Sequence, residues 1–269
     1  MKSVIRTAVI GAAFAAGTLY AFQLPDYQGP EREQFLLKAK ITKVKALSEG
    51  VTGAKRVTLE QGGVTHDAVF KAIDESKPGA TKLADGSIDI GYQDSWQTEI
   101  AAYEVDKIIG LGLVPATVER RLEVNVGSFQ WWVDSEMTEA KRIEQKLSPP
   151  DVEAWNRVMY RVRLFDQLIS NVDRHLKNIL ITKDYQARLI DHSRSFRTNQ
   201  KLAKPEDLTR FSKSLLEGIQ RLEKKDLKKR VGKYLSDAQI DRMLQRRDAI
   251  LELAKKRVAE KGEAAVIYP

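Results

Sequence analysis

The sequence predicts an α+β protein with a β-rich first lobe and a helical second lobe. Strand-like runs separated by glycine turns lie mainly before residue 135, and capped amphipathic helices follow them. Strands that come first and helices that come later favour separate β and α layers over alternating β-α-β units. A chain of 269 residues is long enough for two lobes that share a cleft. We expect the first lobe over residues 26–135 and the second over residues 136–269.

The first strands form a hairpin in this interpretation. Val57–Leu59 and Val64–Ile73 are apolar runs on either side of Gly62 and Gly63. Two consecutive glycines suit the positive φ angles of a tight hairpin turn. The next stretch, Lys77–Gly91, contains Pro78 and several glycines, and we predict a loop or a second turn there.

A helix and two further strands complete the predicted first lobe. Trp96–Ile109 carries apolar residues at helical spacing and is followed by Gly110, a typical helix stop. Thr117–Val133 is typical of two strands, and we expect them to be separated near Gly127.

Helix-start signals dominate the second lobe. Ser148, followed by Pro149, predicts the start of a long helix, with Ser148 as the N-cap and Pro149 in the first turn. Two short runs, Ile179–Ile181 and Arg188–Ile190, predict another hairpin. The run Ser236–Gln239 matches a capping box and predicts the last long helix.

Composition excludes several kinds of chemistry. The chain has no cysteine, which rules out disulfides, thiol nucleophiles and cysteine-bound metals. Its net charge of +8 is concentrated in residues 201–269, which carry 18 basic and 11 acidic side chains. This region is either a solvated helix face or a surface for an anionic membrane, and we do not expect nucleic-acid binding. The three histidines offer little material for a metal site, and we expect His66 and His192 to be ordinary turn or cleft-edge residues.

The N-terminal residues 1–25 are typical of an export signal or an N-terminal anchor. Lys2 and Arg6 precede a run of uncharged, mostly apolar residues from Thr7 to Phe22, which ends shortly before Pro25. The run is short for a membrane span, and acidic residues follow it. We therefore expect the body of the protein to be exported, or anchored and facing away from the cytoplasm.

Three polar residues in the second lobe carry the chemistry. Asp173 and Asn178 lie on one loop, and Asp191 returns at the end of the predicted short hairpin. Phosphoryl transfer from ATP uses one carboxylate to orient the acceptor hydroxyl, and an amide oxygen with a second carboxylate to bind magnesium. The three side chains can meet because only a hairpin separates them.

The first lobe adds a cation and a glycine pair. Lys71 lies in an otherwise apolar strand, where a buried ammonium needs a partner, and Glu99 on the first predicted helix is suitable. Gly50 and Gly53 precede the first hairpin and would let backbone amides approach a phosphate.

These motifs together resemble the atypical kinases of the secretory-pathway (Golgi casein) kinase and phosphatidylinositol kinase-like superfamily, in a bacterial-type form. Three stretches carry the resemblance: the segment from Leu164 to Asn178 with its Asp173-Arg174-His175 core, the segment from Thr98 to Pro115, and Asp191-His192-Ser193-Arg194-Ser195-Phe196. The resemblance implies a protein-kinase-like fold that uses ATP and Mg²⁺ or Mn²⁺.

The resemblance also implies roles for individual residues. It makes Asp173 the catalytic base, Asn178 and Asp191 the metal ligands, and Lys71 the α/β-phosphate ligand that Glu99 orients. The expected function is transfer of the γ-phosphate of ATP to a hydroxyl group of an unidentified protein, sugar or lipid. The alternative is a pseudokinase-type nucleotide-binding scaffold or a module that binds an anionic surface.

Overall fold

The computed structural model describes residues 27–47, 53–82, 88–199 and 201–269. The predicted export segment and Gly50 lie outside the described residues. No helix in these four ranges is both long enough and apolar enough to cross a membrane.

Two sets of elements follow one another along the chain. The first set, in chain order, is α1 (Pro30–Lys38), β1 (Lys40–Ala46), β2 (Lys55–Gln61), β3 (Val64–Lys71), β4 (Asp74–Lys82), β5 (Ile88–Ser95), α2 (Trp96–Ile109), β6 (Thr117–Leu122), β7 (Asn125–Trp131) and β8 (Ser135–Thr138). The second set is α3 (Glu139–Glu144), α4 (Val152–Ile169), β9 (Ile179–Thr182), β10 (Ala187–Leu189), β11 (Phe211–Ser212), α5 (Lys213–Gln220), α6 (Lys224–Val231), α7 (Asp237–Lys261), α8 (Glu263–Val266) and β12 (Ile267–Tyr268). The predicted α+β class is confirmed.

The main sheet is antiparallel and has the strand order β1-β2-β3-β7-β6. Its β2–β3 hairpin was predicted, and the turn glycines Gly62 and Gly63 have φ angles of 58° and 78°. Alternate residues of these strands are buried, with Val57 opposite Ala68 in the register. Helices α1 and α2 pack on this sheet, and a continuous apolar core extends from it through α4 to α7.

The loop or second turn predicted over Lys77–Gly91 is largely a two-stranded ribbon, and residues 83–87 between its strands lie outside the described residues. Strands β4 and β5 pair from Asp74↔Ser95 to Lys82↔Ile88. The register shifts between Lys77 and Ala80, around the Pro78-Gly79 pair that favoured a loop. A bulge tolerates a proline that would interrupt a regular ladder, so the strand continues past it.

The break between β6 and β7 lies at Glu123-Val124, and the predicted break near Gly127 is wrong. Glu123 takes the positive φ of 55° that this turn requires. Gly127 lies inside β7, where a Cβ atom would be 2.1 Å from the carbonyl oxygen of Lys71. This glycine therefore permits close approach of β7 to the end of β3.

The predicted helices form, with one shifted boundary. Ser95 caps α2, and Gly110 ends it with a φ of 70°. Helix α4 begins after Asp151 rather than after Ser148, because the Asp151 side chain accepts a hydrogen bond from the Ala154 amide and takes the capping role. The β9–β10 hairpin and the capping box at the start of α7 are confirmed.

Candidate active site

Lys71 lies between two carboxylates that come from distant parts of the chain. Its Nζ atom is 2.5 Å from Glu99 Oε1 on α2 and 2.6 Å from Asp191 Oδ1, just after β10. The Lys71 side chain is 13% exposed, and that of Glu99 is 2% exposed. The structure thus brings together three of the predicted site residues.

Electrostatics keep this buried pair ionised. Burial by itself lowers the pKa of Lys71, but attraction to Glu99 and Asp191 outweighs it, so the pKa lies above its usual range. Burial raises the pKa of Glu99, whereas the charge of Lys71 and a hydrogen bond from His192 hold it well below its usual range. Both groups are therefore charged at neutral pH, and each satisfies the other.

His192 is completely buried and links Glu99 to the predicted catalytic loop, so its expected place at a turn or cleft edge is wrong. Its backbone N–H donates to Glu99 Oε2 at 3.0 Å. Arg174 Nη2 lies 2.9 Å from His192 Nε2. Because a guanidinium can only donate, the neutral ring must carry its proton on Nδ1, which is 3.6 Å from Glu99 Oε2. Burial lowers the pKa of His192 and favours this neutral form.

Arg174 holds the predicted catalytic loop to the predicted metal motif. Its Nε and Nη2 atoms donate to Asp166, at the end of α4, over 3.1–3.2 Å. Its Nη1 atom donates to the carbonyl oxygens of Ile190 at 2.7 Å and Asn178 at 3.2 Å. A planar guanidinium suits this work because its donors lie in a fixed geometry.

Asp173, the predicted base, has a cationic partner at one carboxylate oxygen and a histidine at the other. Arg194 Nη1 lies 3.0 Å from Oδ2, and His175 Nε2 lies 2.8 Å from Oδ1. The Asp173 side chain is 28% exposed, so solvent or an acceptor can reach it. The His175 side chain, at 70% exposure, is the looser of the two partners.

The side chains of Asn178 and Asp191 lie next to each other, although the residues are 13 positions apart in the chain, and they could share a metal ion. Asn178 Nδ2 donates to Asp191 Oδ2 at 3.3 Å, so the amide would bind a metal through its Oδ1 atom. Asp191 has a φ of 62°, a strained value for a residue other than glycine, and its side chain is 37% exposed. Two oxygen ligands suit Mg²⁺ or Mn²⁺ that also binds phosphates, and the described residues hold no cluster of three or more acidic or histidine ligands. The donor set therefore fits a metal that arrives with a nucleotide.

The predicted glycine loop is described only in part. Gly53 is exposed, has a φ of 63°, and no atom lies within 4 Å of where its Cβ would be. This open backbone precedes β2 in the same sheet as Lys71. Gly50 belongs to the residues that the structure does not describe.

The chain is similar to known proteins in its three-dimensional structure. No protein-family model and no curated protein sequence matches the chain. The structure of hydra Fam20 with sugar has a TM-score of 0.64 at 16% identity, over 88% of this chain and 91% of that chain. The crystal structure of the Golgi casein kinase with Mn/ADP bound has a TM-score of 0.62 at 16% identity, over 88% and 78% of the two chains. The Helicobacter pylori proinflammatory kinase CtkA has a TM-score of 0.55 at 10% identity, over 84% and 98%.

The chain has the fold of the Fam20-like atypical kinases. This confirms, at the level of the fold, the resemblance that the motifs indicate.

Within this Fam20-like kinase fold, sequence reasoning missed the contacts of three residues. Arg174, His192 and Arg194 all lie inside the quoted motifs, yet their partners are 4 to 93 positions away in the chain. The available signal was a charged or polar side chain within three positions of a predicted site residue. That signal does not identify a partner, because adjacent residues in an irregular segment point in different directions.

Proposed function

We propose that this protein is an ATP-dependent phosphotransferase that moves the γ-phosphate of a metal-bound nucleotide to a hydroxyl acceptor. The observation that carries the proposal is the pair of contacts that Lys71 makes with Glu99 and Asp191. A lysine paired with a helix glutamate, beside a metal-binding aspartate, is the arrangement that aligns ATP in protein kinases.

The residues divide the work between nucleotide and acceptor. Lys71 would bind the α- and β-phosphates through the ammonium that Glu99 holds in place. Asn178 and Asp191 would hold the metal, which supplies positive charge against the phosphates. Asp173 would accept or orient the proton of the acceptor hydroxyl, because its carboxylate is partly exposed and lies on the same loop as Asn178.

The Golgi casein kinase structure contains Mn/ADP, and the hydra Fam20 structure contains a sugar. These ligands support a nucleotide, a divalent metal and a hydroxyl-bearing acceptor as partners for this chain. A secretory-pathway likeness also agrees with the export that the N-terminal sequence predicts, so we propose an exported or anchored protein.

The alternative functions make less use of the described contacts. A pseudokinase scaffold has no chemical need for Asp173, Asn178 and Asp191 together. An anionic-surface module would depend on the basic residues of α6, but several of them form ion pairs. These pairs are Lys224–Asp241, Lys228–Asp237 and Arg230–Glu104.

Incubation of the full chain with γ-labelled ATP, Mg²⁺ or Mn²⁺, and protein, sugar and lipid acceptors tests the proposal. We expect metal-dependent label transfer that Asp173→Asn lowers by about 10²-fold or more. Asp248→Asn is the matched control, because this aspartate is 63% exposed and pairs with its neighbour Arg247. Transfer that is equal in Asp173→Asn and in the unchanged protein would overturn the assignment, and binding of nucleotide without any transfer would favour the scaffold.

A further inference from the structure

Arg194 connects the predicted metal motif to the predicted base. It lies three residues after Asp191, and its Nη1 atom donates to Asp173 Oδ2 at 3.0 Å across 21 positions of sequence. The Arg194 side chain is 17% exposed and that of Asp173 is 28% exposed, so the arginine side of this ion pair is the more shielded from water. Shielded, charge-assisted hydrogen bonds are shorter and stronger than exposed ion pairs.

The backbone that carries Arg194 is fixed by α2. The carbonyl oxygen of Ser193 accepts a hydrogen bond from the Ser95 amide at 2.9 Å. The carbonyl oxygen of His192 accepts from the Thr98 hydroxyl at 2.9 Å, in a buried contact. Arg194 therefore extends from a segment that is tied to the first turn of α2.

The guanidinium of Arg194 also lies on an aromatic platform. Its central carbon is 5.1 Å from the centre of the Tyr92 ring, within the range of a cation–π contact. The Tyr92 hydroxyl donates to Asp94 Oδ2 at 3.2 Å, and Asp94 is only 3% exposed. Tyr92 belongs to β5, and its hydroxyl is fixed by Asp94. The Arg194 guanidinium is therefore oriented by contact with the Tyr92 ring, and the Arg194 backbone by its contacts with Ser95 and Thr98.

We propose that Arg194 is a positioning residue that fixes the carboxylate of Asp173 relative to the metal-binding end of the site. This inference rests on the proposed phosphotransferase function, in which Asp173 faces the acceptor. A carboxylate has about four lone-pair sites, and Arg194 and His175 use two of them, which leaves room for an acceptor hydroxyl. A partly buried arginine whose guanidinium also contacts an aromatic ring is suited to hold the base in one orientation, and such preorganisation lowers the barrier to transfer.

A cycle of variants tests the coupling without any need for activity. Thermal unfolding is measured for the full chain, Arg194→Gln, Asp173→Asn and the double variant. We expect the double variant to unfold at a temperature close to that of Arg194→Gln alone, because the second change removes a partner that is already lost. If the decreases in unfolding temperature of the two single variants add up in the double variant, the proposal is overturned, whether or not the protein transfers phosphate.

Kinetics of the same variants test the positioning role. We expect Arg194→Gln to lower kcat by about 10-fold or more while the KM for the metal–nucleotide changes less than about twofold. Arg194→Lys should recover part of kcat, because it keeps a positive charge near Asp173 but loses the planar guanidinium. A higher kcat in Arg194→Gln would show that Arg194 blocks the base. A change in the KM for the metal–nucleotide as large as the change in kcat would show a general structural role. Either result would overturn the proposal.

Arg188→Gln is the matched control. Arg188 is buried, and its central carbon is 4.6 Å from the ring of Tyr27, a contact of the same kind as that of Arg194 with Tyr92. It bonds to Gln186 and to the carbonyl oxygen of Ala187, on the β9–β10 hairpin. We expect this variant to lose thermal stability and to keep its kcat. If no chain transfers phosphate, the proposed function fails, while the unfolding cycle still decides whether Arg194 is coupled to Asp173.

Discussion

Lys71 Nζ lies 2.6 Å from Asp191 Oδ1, although the two residues are 120 positions apart in the chain. The contact joins the last residue of β3 to a strained residue, Asp191, that follows β10. The Lys71 ammonium is shared between this carboxylate and that of Glu99. In the proposed function, Lys71 would turn to a phosphate and Asp191 to its metal when a nucleotide binds.

The two aspartates of the site should differ in nucleotide binding. We expect Asp191→Asn to weaken binding of Mg²⁺–ADP by about 10-fold or more, because the proposed metal ligand loses its charge. Asp173→Asn should bind Mg²⁺–ADP nearly as well as the unchanged protein, because in the proposed function Asp173 faces the acceptor and not the metal. Titration calorimetry measures both affinities. Equal losses in the two variants would contradict the division of roles.

Removing the Lys71 ammonium should cost stability as well as activity. Lys71→Met leaves Glu99 buried and without its cation, and breaking one side of a buried pair costs about 3–5 kcal/mol. The double variant Lys71→Met/Glu99→Leu should regain much of that loss but no activity. Chemical denaturation and the transfer assay measure the two effects. Stability that is unchanged in Lys71→Met would contradict the buried ion pair.

Gly127→Ala should disturb the site from inside the sheet. The added Cβ would lie 2.1 Å from the Lys71 carbonyl oxygen and 2.6 Å from the Phe70 ring, so β3 and β7 must separate. We expect a loss of about 1–3 kcal/mol or more, together with weaker nucleotide binding. Gly218→Ala is the control, because its Cβ would meet the Ile109 carbonyl oxygen at 2.2 Å, at the far end of α2 from Glu99. It should lose stability but keep nucleotide affinity at temperatures where it is folded.

His66 should make the protein less stable in mild acid. It stacks on Trp131 with ring centres 3.8 Å apart, and its Nε2 donates to the Trp132 carbonyl oxygen at 3.0 Å. Burial lowers the pKa of His66 and outweighs the opposite effect of that hydrogen bond. The unfolded chain therefore binds the proton more readily, so stability falls as the pH drops through the ordinary histidine value near 6.5.

The variant His66→Gln isolates this contribution because glutamine does not titrate. Between pH 7.5 and 5 we expect its melting temperature to fall less than that of the unchanged protein. The other titrating groups are common to both chains and cancel in the comparison. Parallel curves for the two proteins would show that His66 does not contribute.

The export prediction can be tested in cells. A reporter enzyme that is active only outside the cytoplasm should gain activity when it is fused after Pro25, because Lys2 and Arg6 precede the apolar run. Replacing Val9 and Ile10 with aspartate should abolish that activity, since the apolar run would be interrupted. Activity of a cytoplasm-only reporter at the same position would reject the predicted topology.

Local patterns in the sequence determined several of the turns and helix ends, and they gave the order of the candidate site residues along the chain. The Gly62-Gly63 turn, the stop of α2 at Gly110 and the capping box at Ser236 depend on residues a few positions apart, so their signals are readable without a fold. The same holds for the loop that carries Asp173 and Asn178. The Pro78-Gly79 pair favours a loop locally, but pairing of β4 with β5 overrides that preference, so the expected loop is a strand.

Only the tertiary structure decided which side chains meet. The hydrogen bond from His192 to Glu99 spans 93 positions, and the ion pair of Arg194 with Asp173 depends on how α2 holds the segment after Asp191. The sequence suggested a strand break near Gly127. In the folded sheet this glycine instead allows β7 to approach the end of β3 closely. Contacts of this kind follow from packing distant segments together, and no local preference of the chain encodes them.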